Sequence, residues 1–149
     1  MANDVKLKEM VEIMNLKNLT PDVDMAKKRI EVPDVNRPAL QLSGYFEHFD
    51  CERVQIIGYV EYTFLEKMAD DKKEEIYSTL LSYQIPCIIF CRNLPPEELF
   101  LKMAEKAGVP VFITEKKTSE FTSELIRWLN VQLAPCISIH GVLVDVYGV

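Results

Sequence analysis

Two stretches of this 149-residue chain carry side chains suited to chemistry on a charged group. The first is Thr114-Glu115-Lys116-Lys117-Thr118-Ser119, where two lysines stand just before a predicted helix N-terminus. The free backbone N–H groups and the helix dipole at such an end favour an anion. Arg92, at the end of the preceding predicted strand, belongs to the same edge if the strands run parallel. Arg92, Lys116, Lys117, Thr118 and Ser119 are therefore a candidate anion site, suited to a phosphorylated metabolite or a nucleotide sugar. The same residues also describe an ordinary helix start with solvated lysines. The second stretch is Ile139-His140-Gly141-Val142, whose imidazole can donate a hydrogen bond or exchange protons near neutral pH. A histidine at a strand bulge, bonded to backbone, fits the same pattern.

Other chemistries lack their residues. There is no G-x-S-x-G, and His48 and His140 form no H-E-x-x-H pair. The cysteines Cys51, Cys87, Cys91 and Cys136 show no C-x-x-C spacing. Cys87 and Cys91 flank a predicted strand, which sets their α-carbons roughly 13 Å apart, too far for a disulfide or a shared metal. They read as small buried hydrophobes in a reducing compartment. No metal ligands and no cofactor site are expected in this chain. The run Asp70-Asp71-Lys72-Lys73-Glu74-Glu75 reads as a solvated helix start, and Tyr45, Phe46 and Phe49 as core. Arg37 and Arg53 flank that aromatic cluster without an evident partner.

The elements that must position these residues follow from periodicity. Leu7, Met10, Val11 and Met14 give an amphipathic helix over 4–15. Residues 28–32 alternate as a short strand. The segment between Pro33 and Pro38 is too rich in proline for a central strand. Val54–Gly58, Cys87–Phe90 and Val109–Ile113 are buried strands, separated by helices over 61–69, 71–83 and from Pro95 to Gly108. Asp71-x-x-Glu74 resembles a capping box, and Leu99, Phe100, Met103, Ala104 and Ala107 form the predicted inner face of the helix that follows Pro95. Thr118 or Ser119 caps a last helix with Phe121, Leu125, Trp128, Leu129 and Leu133 inward, ended by Pro135. Alternating strands and helices predict an α/β three-layer sandwich with a mainly parallel sheet over roughly 1–134.

The net charge of −6, from 17 basic and 23 acidic residues, speaks against nucleic acid or an anionic membrane as the main partner. No apolar run approaches the roughly 20 residues of a membrane helix, and the first residues do not form a signal peptide, so a cytoplasmic location is expected. Beyond Pro135 the period changes to two. Ile137 and Ile139 alternate in one phase, and Val142, Val144 and Val146 in the other, across Gly141. Residues 135–149 thus read as the opening strands of a further, truncated domain.

Three stretches together resemble the bacterial HPr kinase/phosphorylase family. They are Asn36-Arg-Pro-Ala-Leu-Gln-Leu-Ser-Gly44, Glu52-Arg-Val-Gln-Ile-Ile-Gly58 and Ile139-His-Gly-Val-Leu-Val-Asp-Val-Tyr-Gly148. The resemblance implies a protein of about twice this length. Its first half has a fold similar to the Mur ligase N-terminal domain, and its second half is a P-loop kinase domain. It also implies a serine kinase that uses ATP and Mg²⁺ on the phosphocarrier HPr and removes the phosphate by phosphorolysis. Hexameric assembly and control of carbon catabolite repression are further implications. His140 matches the family's active-site histidine position. The family's G-x-x-x-x-G-K-[ST] loop is not found in these 149 residues, so this chain alone is expected to be inactive. The alternative expectation is an independent binding module for a phosphorylated metabolite or nucleotide sugar.

Overall fold

The computed structural model describes residues 4–134. In chain order the elements are β1 (Val5–Lys6), α1 (Leu7–Ile13), β2 (Lys17–Asn18), β3 (Arg29–Ile30), β4 (Val35–Asn36) and α2 (Ala39–Leu42). There follow β5 (Val54–Ile57), α3 (Tyr59–Glu66), α4 (Asp70–Leu81), β6 (Ile88–Phe90), α5 (Glu98–Ala107), β7 (Val111–Ile113) and α6 (Thr118–Gln132). Segment 135–149, predicted as the start of a further domain and carrying Cys136 and His140, lies outside the described residues.

Strands β4, β5, β6 and β7 are parallel neighbours, and β2 pairs antiparallel with β7, giving a sheet ordered β2-β7-β6-β5-β4. The sheet is mixed but mostly parallel. Its central strands are buried on both sides, and side-chain alternation divides them between two cores. Ile56, Ile89 and Phe112 meet Leu7 and Met10 of α1 and Phe121, Leu125 and Leu129 of α6 on one face. Ile57, Ile88, Phe90, Val111 and Ile113 meet Leu42, Leu65, Ile76, Phe100 and Ala104, from α2 to α5, on the other. Helices thus cover both faces.

Several elements depart from the sequence reading. The first helix occupies only Leu7–Ile13, because Val5 and Lys6 pair with Ile30 and Arg29 in a separate two-stranded sheet and Asn15 turns left-handed at φ 54°. The strand predicted over 28–32 therefore lies outside the main sheet. The proline-bracketed loop contains β4, an edge strand that prolines on either side tolerate. Helix α4 starts from Ala69 without a side-chain cap, so Asp71 and Glu74 form no capping box. Likewise α6 is capped by Lys117 in extended conformation; Thr118 is its first helical residue and is buried. On α5 the inner face is Phe100 and Ala104 with Met103 packed partly buried beside them, while Leu99 and Ala107 are exposed. Gly108 does stop that helix, at φ 78°. Cys87 and Cys91 are buried free thiols. Phe46 stacks on Tyr83 at 5.6 Å and meets Phe49 edge-on, joining the second core, whereas Tyr45 is exposed.

Candidate functional site

The carboxyl ends of the parallel strands form one rim. Arg37 follows β4, Gly58 follows β5, Arg92 follows β6, and the segment Thr114–Lys117 joins β7 to α6. At the centre, Glu61 reaches back one turn along α3. Its Oε1 accepts from the Gly58 N–H at 2.7 Å and from Arg37 Nε and Nη2 at 3.0 and 2.8 Å. A Cβ on Gly58 would lie 2.6 Å from Arg37 Nη2 and 2.8 Å from Thr118 Oγ1, so glycine is what lets these two chains close on the strand end. Burial pushes the Cys91 thiol at this junction up to about 11, against the lowering effects of the Thr118 hydrogen bond and the Arg37 charge. It is a buried thiol, not a thiolate nucleophile.

Of the five residues predicted as an anion site, Arg92 and Lys116 meet through the backbone, the Arg92 N–H donating to the Lys116 carbonyl at 2.9 Å, while their side chains go to different partners. Lys116 Nζ is held by both carboxylate oxygens of Glu124, at 2.8 and 2.7 Å. The Thr118 side chain packs inward against Gly58. Arg92, left-handed at φ 60°, carries its guanidinium 5.6 Å above the ring of Tyr59. Lys117 is exposed. Ser119 lines an open groove with Arg37 and Arg127. Of the two arginines without an evident partner, Arg37 pairs with Glu61, and Arg53 lies 3.6 Å from Asp50. His140 lies outside the described residues.

A second site escaped the sequence reading. Between α3, the first turns of α4 and the start of α5 lies a cleft of about 270 Å³. Phe90, Phe100 and Tyr77 form its floor, Tyr62 and Pro96 its walls, and Lys73, Glu97 and Glu66 its polar edge. Its aromatic rings meet edge to face, Tyr77–Phe100 at 4.9 Å and Phe90–Phe100 at 5.6 Å. Tyr62 fixes the loop before α5 by donating its hydroxyl to the Pro95 carbonyl at 2.6 Å. The Tyr77 hydroxyl donates to Glu97 Oε1 at 2.5 Å, and Lys73 Nζ donates to Oε2 at 3.0 Å. Burial opposes the charge on Glu97, but the Tyr77 and Lys73 bonds outweigh it and hold the carboxyl below its ordinary value. Burial, reinforced by the Glu97 carboxylate, pushes the Tyr77 phenol well up. Lys73, read from sequence as part of a solvated run, is buried. The available signal was its spacing. It stands three and four residues before Ile76 and Tyr77 and so shares their inward stripe.

Comparison with known proteins adds three kinds of likeness. Residues 5–129 match the family model described as HPr Serine kinase N terminus. The HPr kinase/phosphorylase of Lachnoclostridium phytofermentans is 56% identical over 144 residues, covering 97% of this chain and 47% of that protein. Those of a Thermoanaerobacter species and of Limosilactobacillus reuteri are 43% and 36% identical, over 89% and 100% of this chain and 44% and 46% of theirs. The chain therefore spans about half the length of the curated relatives it matches. Among solved structures, the CBS and DRTGG regulatory region of a Clostridium perfringens pyrophosphatase, crystallised with diadenosine tetraphosphate, superposes with a TM-score of 0.59. It does so at 13% identity, over 87% of this chain and 50% of that one, a likeness of fold.

Proposed function

The chain belongs to the HPr serine kinase N-terminal family, and on that premise we propose that it is the non-catalytic module of a bifunctional HPr kinase/phosphorylase. In this reading the complete protein phosphorylates a serine of HPr with ATP and Mg²⁺, reverses the step by phosphorolysis, and so controls carbon catabolite repression. This half contributes assembly, presentation or regulation, within a hexamer, through a fold akin to the Mur ligase N-terminal domain. Residues 135–149, outside the described residues, are read as the opening of the P-loop kinase domain, with His140 at the family's active-site histidine position.

The observation that carries this reading is the 56% identity across nearly the whole chain to a protein about twice as long. A separate binding module for a phosphorylated metabolite is less favoured, since these relatives carry the matching region as about half of a longer protein. The chemistry agrees with a non-catalytic role. Phosphoryl transfer rests on a phosphate cradle, a lysine and a metal acting together, and the 149 residues contain no G-x-x-x-x-G-K-[ST] loop to supply them. The test is serine phosphorylation of purified HPr with ATP and Mg²⁺. The 149-residue chain is expected to give no phospho-HPr, whereas a full-length version gives it and loses both kinase and phosphorylase rates on His140→Ala. Activity of the short chain, or full rates in the variant, would refute the corresponding part.

A further inference from the structure

The cleft between α3, α4 and α5 has the composition of a ligand site rather than of a packing gap. Enclosed voids left by imperfect packing are apolar and dry. This one is floored by three aromatic rings and edged by three ionisable side chains, one of which is a buried lysine. Burying an ammonium opposes folding unless acceptors surround it. Lys73 Nζ donates to one carboxylate acceptor, Glu97 Oε2, among the described residues, and an ammonium with three N–H bonds can donate to a ligand as well. At the mouth, the exposed carboxylate of Glu66 makes no hydrogen bond within the described residues, and both oxygens of Glu97 are already occupied.

Charge then selects the class of ligand. Lys73, Glu66 and Glu97 together carry one net negative charge. An anion entering here would meet two carboxylates, and a permanent cation would meet the ammonium. A neutral ring that offers an acceptor to Lys73 and an N–H donor to Glu66 meets neither cost. Phe90 and Phe100, with planes 71° apart, are nearly buried and bound the cleft below, and Tyr62 stands at 89° to Phe90, so a flat body would lie along Tyr62 and meet the floor edge to face. A volume of about 270 Å³ suits one or two fused rings with a small substituent, near the lower limit of small-molecule sites.

We propose that this cleft binds a planar, uncharged heteroaromatic ring with an acceptor edge and a donor edge, the class that includes the nucleobases, held by Lys73 and Glu66 along the side of Tyr62. The inference concerns this chain alone and does not rest on any role in phosphorylating HPr.

The test is titration of the 149-residue protein with cytidine and with adenosine, followed by the aromatic and methyl NMR signals of Tyr62, Leu65, Phe90 and Phe100. Caffeine, a planar heterocycle without N–H donors, and inorganic phosphate serve as controls. Saturable shifts confined to the cleft are expected with at least one nucleoside, with none from phosphate and at least tenfold weaker binding of caffeine. Lys73→Met and Tyr62→Leu should each raise Kd about tenfold, as loss of one charged hydrogen bond or one stacking wall implies. Should Lys73→Met fail to fold, Glu66→Gln tests the opposite edge from an exposed position and should weaken binding severalfold. No saturable shift with either nucleoside at millimolar concentration would overturn the proposal. So would shifts that the folded variants leave unchanged, or caffeine binding as tightly as the nucleosides. Shifts elicited only by a protein partner such as HPr would assign the cleft to docking and equally overturn it.

Discussion

The two ion pairs nearest the candidate sites are opposites in exposure. In Arg37–Glu61 the acid is sealed in, 4% exposed against 41% for the arginine. In Lys73–Glu97 the base is sealed in, 10% exposed against 44% for the glutamate. The difference lies in how each buried charge is compensated. Glu61 is short and fixed by a backbone N–H and two guanidinium donors, so its environment is complete without solvent. Lys73 is long and flexible, and among the described residues its Nζ donates to one side chain, Glu97. The first pair is a structural clasp holding β4, α3 and, through Gly58, α6 together. The second is a polar edge beside an aromatic floor.

Removing the exposed member of each pair separates these descriptions most sharply. Arg37→Ala strands a buried carboxylate that cannot move, and about 3 kcal/mol of stability should be lost by urea unfolding. Glu97→Ala strands an ammonium whose stem can swing toward water, and the loss should be smaller, about 1–2 kcal/mol. Equal losses would break the contrast. Gly58→Ala probes the clasp by space rather than charge. Its methyl would overlap Arg37 and Thr118, and a cost of about 2 kcal/mol is expected, with Arg37→Ala partly relieving it in the double variant.

The smallest effect is on pH dependence. The folded-state pKa of Glu97 is lowered, so its contribution to stability is fully present above the unfolded value near 4.5 and is lost as pH falls through the folded value. Tyr77 is raised from 10.0, so its contribution is present below pH 10 and declines as pH rises beyond it. Glu97→Gln should therefore flatten the acid limb of the stability profile, as followed by thermal melting at stepped pH. An unaltered acid limb would remove Glu97 from the account.

How much of this was legible in the sequence depended on length and on locality. The three central strands and α6 announce themselves because Ile88–Phe90 and Val111–Ile113 are continuous apolar runs, Val54–Ile57 is apolar but for Gln55, and Phe121, Leu125 and Leu129 recur at helical spacing. Strands β2 and β4 have two residues each, too few to show an alternation, and exist only because a longer strand lies beside them. The site residues divide the same way. Lys116 and Lys117 attract attention as adjacent charges, but Glu124, which binds Lys116, lies a full two turns into the next helix. Lys73 is hidden in an acidic-basic run, and its partner Glu97 stands 24 residues away. Pairing across that distance is a property of the fold.

The antiparallel strand β2 carries a consequence for how the molecule is made. Beside it the Val111 N–H donates to the buried Thr20 hydroxyl, 91 positions earlier, and the Leu19 N–H returns a bond to the Val111 carbonyl. During synthesis the segment 17–20 therefore has no ladder to join until most of the domain has left the ribosome. Parallel β4, β5 and β6 are complete in the chain before β7 is made, whereas β2 can pair only once β7 exists, and there it covers the flank of β7 against pairing with another molecule.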